Sequence, residues 1–185
     1  MDNKITIPNH IIEACRLGQR SAQETLYKMC YADFMRVCLR YAECYDDAAN
    51  ILHDAFIKIL TKMDSYKNSG DFVGWMRRIV INTNIDYIRS RKDQTHVSVE
   101  SIAELAEDDD ATDFVVDEKS LLKIIRSLPV KQAAVFNLFV MENYSHDRIA
   151  EALDMTVASS KWHLFEARRI LKDKVSAYLN QNGQN

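Results

Sequence analysis

Two stretches of this chain carry side chains at spacings suited to contact with a polyanion. In residues 72–91, Arg78, Asn82, Asp86 and Arg89 recur at steps of three and four, and Arg77, Asn84 and Arg91 make a second row. Residues three and four apart share one face of a helix. Cations on such a face neutralise phosphates, and amides read base edges. The stretch runs into R-S-R-K and follows the turn-rich segment D-S-Y-K-N-S-G-D (64–71). There Tyr66, Lys67 and Asn68 supply an aromatic ring, a cation and an amide suited to an unpaired base. Taken separately, Phe72 and Trp75 read as core, whereas the rows of Arg and Asn, on one helix followed by R-S-R-K, are less easily read as a merely solvated face.

The second stretch is S-H-D-R-I-A-E-A-L-D-M-T-V-A-S-S-K-W-H-L-F-E-A-R-R-I-L, residues 145–171. Ser145 suits the cap of a first helix held by Ile149, Ala150 and Leu153. Asp154 and Met155 make a turn, and Thr156 suits the cap of a second helix. In that second helix Val157, Ser160, Leu164, Ala167 and Leu171 recur on an inward face. Ala158, Ser159, Lys161, His163 and Arg168 are left outward. This is the pattern of a helix-turn-helix, whose second helix enters the DNA major groove.

These residues need elements to carry them, and the pattern predicts helices throughout. The chain has 185 residues with only 4 Gly and 2 Pro. Apolar residues at helical spacing predict helices near 8–17, 21–42, 46–63 and 71–91, and again near 116–127, 130–142, 145–153 and 157–179. The clearest stripe is Ala48, Ile51, Leu52, Ala55, Phe56, Ile59, Leu60 and Met63. Cys15, Cys30, Cys38 and Cys44 contain no C-x-x-C pair and read as buried thiols rather than a metal or disulfide framework. No apolar run approaches a membrane span, and M-D-N-K-I-T-I-P-N-H-I-I lacks a secretory pattern, so the cytoplasm is the expected location.

Enzymatic chemistry finds no foothold. There is no glycine-rich phosphate loop, no H-E-x-x-H and no nucleophile–base pair at motif spacing. Hence no catalytic residue, metal, cofactor or small-molecule substrate is expected. The net charge of −3 hides an uneven distribution. Residues 100–118 hold nine acids and no Lys or Arg, whereas residues 66–99 carry +3 and residues 119–185 carry +4. Two mildly basic bodies flank an acidic stretch that reads as a solvated linker.

Taken together, the two halves resemble a bacterial sigma factor of the extracytoplasmic-function group in the sigma-70 family. D-A-A-N-I-L-H-D-A-F-I-K-I-L (47–60) is similar to the family's D-A-E-D-L-x-Q-E-x-F at Asp47, Ala48 and Phe56. Residues 72–89 match its F-x-x-W-L-x-x-I-A-x-N-x-x-x-D-x-x-R at Phe72, Trp75, Ile79, Asn82, Asp86 and Arg89. S-L-P-V-K-Q-A-A-V-F (127–136), with the helix-turn-helix after it, resembles region 4. The resemblance implies an all-α fold of two small helical domains: a region 2 bundle over 1–94, an acidic flexible linker over 95–116, and a region 4 helix-turn-helix domain over 117–185.

The same resemblance implies a transcription initiation factor that binds core RNA polymerase and directs it to promoter DNA. Asp47, Asn50, Ile51, Asp54 and Lys58 would meet the polymerase. Tyr66, Lys67, Asn68, Arg77, Arg78, Asn82, Asn84, Arg89 and Arg91 would engage the −10 element and help to melt it. Ala158, Ser159, Lys161, His163 and Arg168 would engage the −35 element. It also implies an anti-sigma factor that holds the free protein inactive. Asp86 and Arg89, three apart, suit a mutual ion pair.

Several positions depart from the family pattern. Ala49, Asn50 and His53 make the polymerase-facing helix less charged. Arg148 replaces a first-helix Glu, Asp154 a turn glycine, and Glu166 a frequent Arg. Trp162 and Phe165 stand where polar residues are usual. The competing expectations are a stand-alone dimeric helix-turn-helix regulator and a helical protein-interaction adaptor.

Overall fold

The structure, a computed structural model, describes residues 5–67, 70–91 and 118–182. The linker expected over 95–116 lies outside these residues, as does Asn68. Eight α-helices and no strand occur among the described residues, in keeping with the all-α expectation. None of these helices is long and apolar enough to cross a membrane. Two compact units, residues 1–87 and 88–185, divide the chain, with the division inside a helix.

The first unit contains α1 (Asn9–Arg16), α2 (Arg20–Leu39), α3 (Tyr45–Thr61) and most of α4 (Phe72–Arg91), with a 3-10 turn at Met63–Ser65. Gly18, at φ +72°, lets the chain leave α1 tightly. Its N–H donates to Cys15 O and that of Gln19 to Ala14 O, both at 3.0 Å, which satisfies carbonyls at the helix end. Helix α2 packs on α1 and on α3. The core takes Leu26, Cys30, Phe34, Val37 and Cys38 from α2, and Ala48, Leu52, Ala55 and Ile59 from α3. Met76 and Val80 of α4 are fully buried as well. Truncating a side chain as enclosed as Leu26 to Ala is worth ~2–5 kcal/mol.

Three thiols are buried as expected: Cys15, Cys30 and Cys38. Burial pushes all three up, Cys30 to about 12 and Cys38 to about 11. Cys44 departs from the expectation and is exposed. It occupies the N-cap of α3, where its Sγ accepts the Asp47 N–H at 3.4 Å, a place for a polar atom rather than a packed one.

The second unit contains α5 (Glu118–Arg126), α6 (Val130–Phe136), α7 (His146–Leu153) and α8 (Val157–Asn182). Helices α5, α6 and α7 all pack on α8. The single helix expected over 130–142 instead passes from α6 into a π-helical turn, Asn137–Met141. There the Glu142 N–H donates to Asn137 O at 3.1 Å and the Tyr144 N–H to Leu138 O at 2.9 Å. Val135, Leu138, Ile149, Leu153, Leu164 and Ala167 form the core.

Candidate nucleic-acid interface

The turn between α3 and α4 is held from a distance. Arg16 of α1 donates Nε to Met63 O at 3.5 Å and an Nη to Tyr66 O, while its other Nη pairs with Glu13 at 2.8 Å. A planar guanidinium can grip two carbonyls at once where an ammonium cannot. Nothing in sequence spacing pointed to Arg16, because these bonds cross 47 and 50 residues.

Tyr66 corrects the expectation placed on it. It is 8 % exposed, its hydroxyl donates to Gly70 O at 2.7 Å, and Gly70 holds a φ of +109° that suits glycine alone. Its ring lies 4.9 Å from Phe72 and 5.6 Å from Trp75, whose own rings stack at 5.6 Å. Tyr66 is therefore a structural member of an aromatic cluster, not a free platform for a base. Lys67 beside it is exposed. Asn68 lies outside the described residues. Asp71 Oδ1 accepts the Val73 N–H at 3.1 Å and so caps the start of α4.

On α4 one of the two polar rows remains exposed. Arg78, Asn82, Asp86 and Arg89 are all exposed along one line of the helix. The other row breaks. Arg77 and Arg91 are half-buried, and Asn84 is fully buried. Asn84 Nδ2 donates to Val80 O at 2.9 Å and approaches Cys38 Sγ at 3.7 Å. Asn84 follows Met76 and Val80 at four-residue steps, so the helix turns it into the core. Its side chain is fully buried rather than part of an exposed polar row. Asp86 does not pair with Arg89 as expected: its Oδ2 accepts Lys58 Nζ at 2.9 Å, which ties α4 to α3.

That ion pair also affects the polymerase-facing candidates of α3. Asn50 and Asp54 are exposed, whereas Lys58 is engaged by Asp86. Asp47 is half-buried and accepts the Tyr87 hydroxyl at 2.9 Å. Ile51 is 3 % exposed and belongs to the core, since it lies on the buried stripe with Ala48 and Ala55. Ile57, not among the expected contact residues, is 60 % exposed beside Asp54. Its signal was legible: it is the one Ile of this helix off the apolar stripe.

The helix-turn-helix forms as its residues require. Ser145 Oγ accepts the Arg148 N–H at 3.3 Å, and Thr156 Oγ1 accepts the Ser159 N–H at 3.0 Å. Asp154 takes the left-handed conformation, φ 50°, that usually falls to glycine. Arg148 lies over the Tyr144 ring at 3.8 Å and donates to its hydroxyl at 3.2 Å, a use unrelated to capping. Ser160 is buried, with Oγ 2.9 Å from His146 Nδ1.

Along α8, Ala158, Lys161 and Arg168 are exposed and Ser159 is half-exposed. His163 turns partly inward instead of outward. Its Nδ1 is buried with no hydrogen-bond partner among the described residues, and burial, with Lys131 nearby, pulls its pKa below the ordinary value. Glu166 is gripped by Arg169, which donates Nη at 2.9 Å and Nε at 3.1 Å. Trp162 and Phe165 stand in solvent, 54 % and 64 % exposed.

Comparison with known proteins gives a consistent picture. Residues 26–94 match the family model Sigma-70 region 2, and residues 118–171 match Sigma-70, region 4. The chain is 22 % identical over 178 residues to the ECF RNA polymerase sigma-E factor of Haemophilus influenzae, covering 89 % of this chain and 93 % of that protein. It is 24 % identical over 140 residues to the RNA polymerase sigma factor SigV of Bacillus subtilis, covering 76 % and 82 %. Among solved structures it is similar in fold to the sigma factor RpoE of Bartonella quintana, determined in complex with the anti-sigma factor NepR. The TM-score is 0.54 at 18 % identity, with 83 % of this chain and 96 % of that chain covered.

Proposed function

The chain belongs to the sigma-70 family, in its extracytoplasmic-function group, and we propose a division of labour between its two units in promoter recognition. It directs core RNA polymerase to promoters, and the observation that carries this function is the ordered pair of sigma regions over 26–94 and 118–171. A stand-alone regulator would need its first half as a dimerisation or sensor domain, yet that half is region 2. Sigma factors are a non-enzymatic family, and the chain acts by binding alone.

Along α4, the exposed line Arg78, Asn82 and Arg89, with Lys67 at the preceding turn, meets phosphates and base edges of the −10 element. Extruding a base from the duplex costs a few kcal/mol, which contacts to the separated strand offset. The exposed face of α3, Asn50, Asp54 and Ile57, meets the polymerase. In the second unit, the outward face of α8 seats in the major groove of the −35 element, with Ala158 near its leading end and Lys161 and Arg168 toward phosphates. Core polymerase, promoter DNA and an inhibitory anti-sigma factor are its partners, and the cytoplasm is its place of work. Two modest cationic surfaces leave the free protein a weak DNA binder, because phosphate neutralisation dominates affinity.

In vitro transcription from a randomised promoter library, with core polymerase alone and with the full chain added, tests this. Enrichment of two spaced sequence elements only when the chain is present is expected. Equal transcripts with and without it would refute the reading.

A further inference from the structure

The outward face of α8 has an uneven composition. Val157 begins the helix, and helical geometry of 3.6 residues per turn puts Ala158, Trp162, Phe165 and Arg169 along one exposed line. Lys161, Arg168 and Lys172 run down one edge of that line, and all three are exposed. The other edge carries Glu166 and Asp173. Both carboxylates there are engaged by Arg169, at 2.9 Å and 3.6 Å. The result is an apolar centre made of an indole and a phenyl ring, with a small residue before it, one cationic flank, and a flank whose two acids share one arginine.

An exposed Trp and Phe one turn apart need an occupant, and the flanking charge says which. Three cations on one edge suit a phosphate strand, and they seat the helix in a groove with its central line toward base edges. The distinctive apolar group on the base edges of the major groove is the C5-methyl of thymine, which aromatic and aliphatic side chains contact directly. From this we infer that Trp162, backed by Phe165, is a specificity determinant that selects thymine methyl groups in the upstream promoter element. The inference rests on the proposed role of α8 at −35 and names what that helix prefers there. Discrimination comes from burying a methyl group against an aromatic face, not from hydrogen bonding.

The test begins with holoenzyme made from core polymerase and the full chain, used to select an upstream element from a randomised duplex. Failure to select any upstream element would overturn the −35 role itself, and this inference with it. On the selected promoter, each thymine of the element is then replaced by deoxyuridine, which removes only the methyl group. With the unaltered chain, affinity is expected to fall about three- to fivefold at one or two positions, the scale of one methyl group returned to water. With Trp162→Ala, affinity for the thymine promoter falls to a similar level and deoxyuridine has no further effect. A deoxyuridine penalty that is absent in the unaltered chain, or equally large in Trp162→Ala, overturns the inference while leaving the −35 role standing. Weaker binding of Trp162→Ala to core polymerase without DNA, with the deoxyuridine penalty retained, would assign the face to a protein partner instead. Trp162 lies outside the core, so an unchanged melting temperature of the variant confirms that binding alone is being read.

Discussion

Helices α4 and α8 each carry a Phe–Trp pair three residues apart, and the two pairs meet opposite fates. In α4, Phe72 and Trp75 are joined by Tyr66, which the preceding turn folds over them. In α8, Trp162 and Phe165 lie uncovered. Spacing along the helix does not decide between these outcomes. The neighbouring segment does: the turn before α4 brings an aromatic ring, a glycine able to accept its hydroxyl bond and a distant arginine to hold the carbonyls. The turn before α8 brings only Asp154, Met155 and a capping Thr156. A covered pair stiffens the turn on which it sits, and an uncovered pair is left open to solvent.

The largest test of this contrast is aimed at the hidden side of α4. Asn84→Asp places a carboxyl group among Val80 and Cys38, and a stability loss of at least about 3 kcal/mol is expected in urea denaturation. A change no larger than that of a surface substitution would return Asn84 to the exposed polar row.

Next comes the direct comparison of the two tryptophans. Trp75→Ser is expected to destabilise the fold by about 2 kcal/mol, because it opens the cluster with Tyr66 and Phe72. Trp162→Ser should stay within ~0.5 kcal/mol. Equal costs would erase the distinction.

Arg16→Ala should lower stability by about 1–2 kcal/mol, the scale of charge-assisted bonds to carbonyls that remain partly accessible to water. Its sharper readout is limited proteolysis, with cleavage in residues 63–70 accelerated relative to cleavage elsewhere. Arg16→Lys should recover only part of the protection, since one ammonium cannot reproduce the fork.

The smallest effect concerns His163 on the inward edge of α8. Burial, then Lys131, lowers its folded pKa from the ordinary 6.5. The fold therefore prefers the neutral ring, and this group imposes no penalty above pH 6.5. As pH falls below that value the unfolded chain takes up the proton first, so stability declines until the folded value is passed. His163→Gln should flatten this limb when denaturation midpoints are compared above and below pH 6.5. An unchanged slope would mean that the ring is solvated.

Much of this architecture is legible in sequence because it rests on local chemistry. Ser145 and Thr156 cap the helices their spacing predicts, and the apolar stripe of α3 is buried from Ala48 through Ile59. The failures share a cause, which is partners far apart in the chain. Asp86 has Arg89 three residues away, yet Lys58 on another helix takes it. Asn84 looks like part of a polar row until the fold shows which face of α4 turns inward. Tyr66 carries a ring and a hydroxyl suited to a base, but Phe72 and Gly70 claim both. The π turn after α6 was hidden for a different reason: its five-residue hydrogen-bond step needs no special residue and leaves no periodic mark.

The unequal fate of the four cysteines gives the protein a built-in site for chemistry at the bench. Thiolates react and thiols do not, so Cys30 and Cys38, with pKa values near 12 and 11, should ignore a maleimide at neutral pH, and buried Cys15 should follow them. Cys44 alone is exposed, at the head of the helix whose outer face is proposed to meet the polymerase. A fluorophore attached there would report docking in the natural sequence, with no residue replaced to install it.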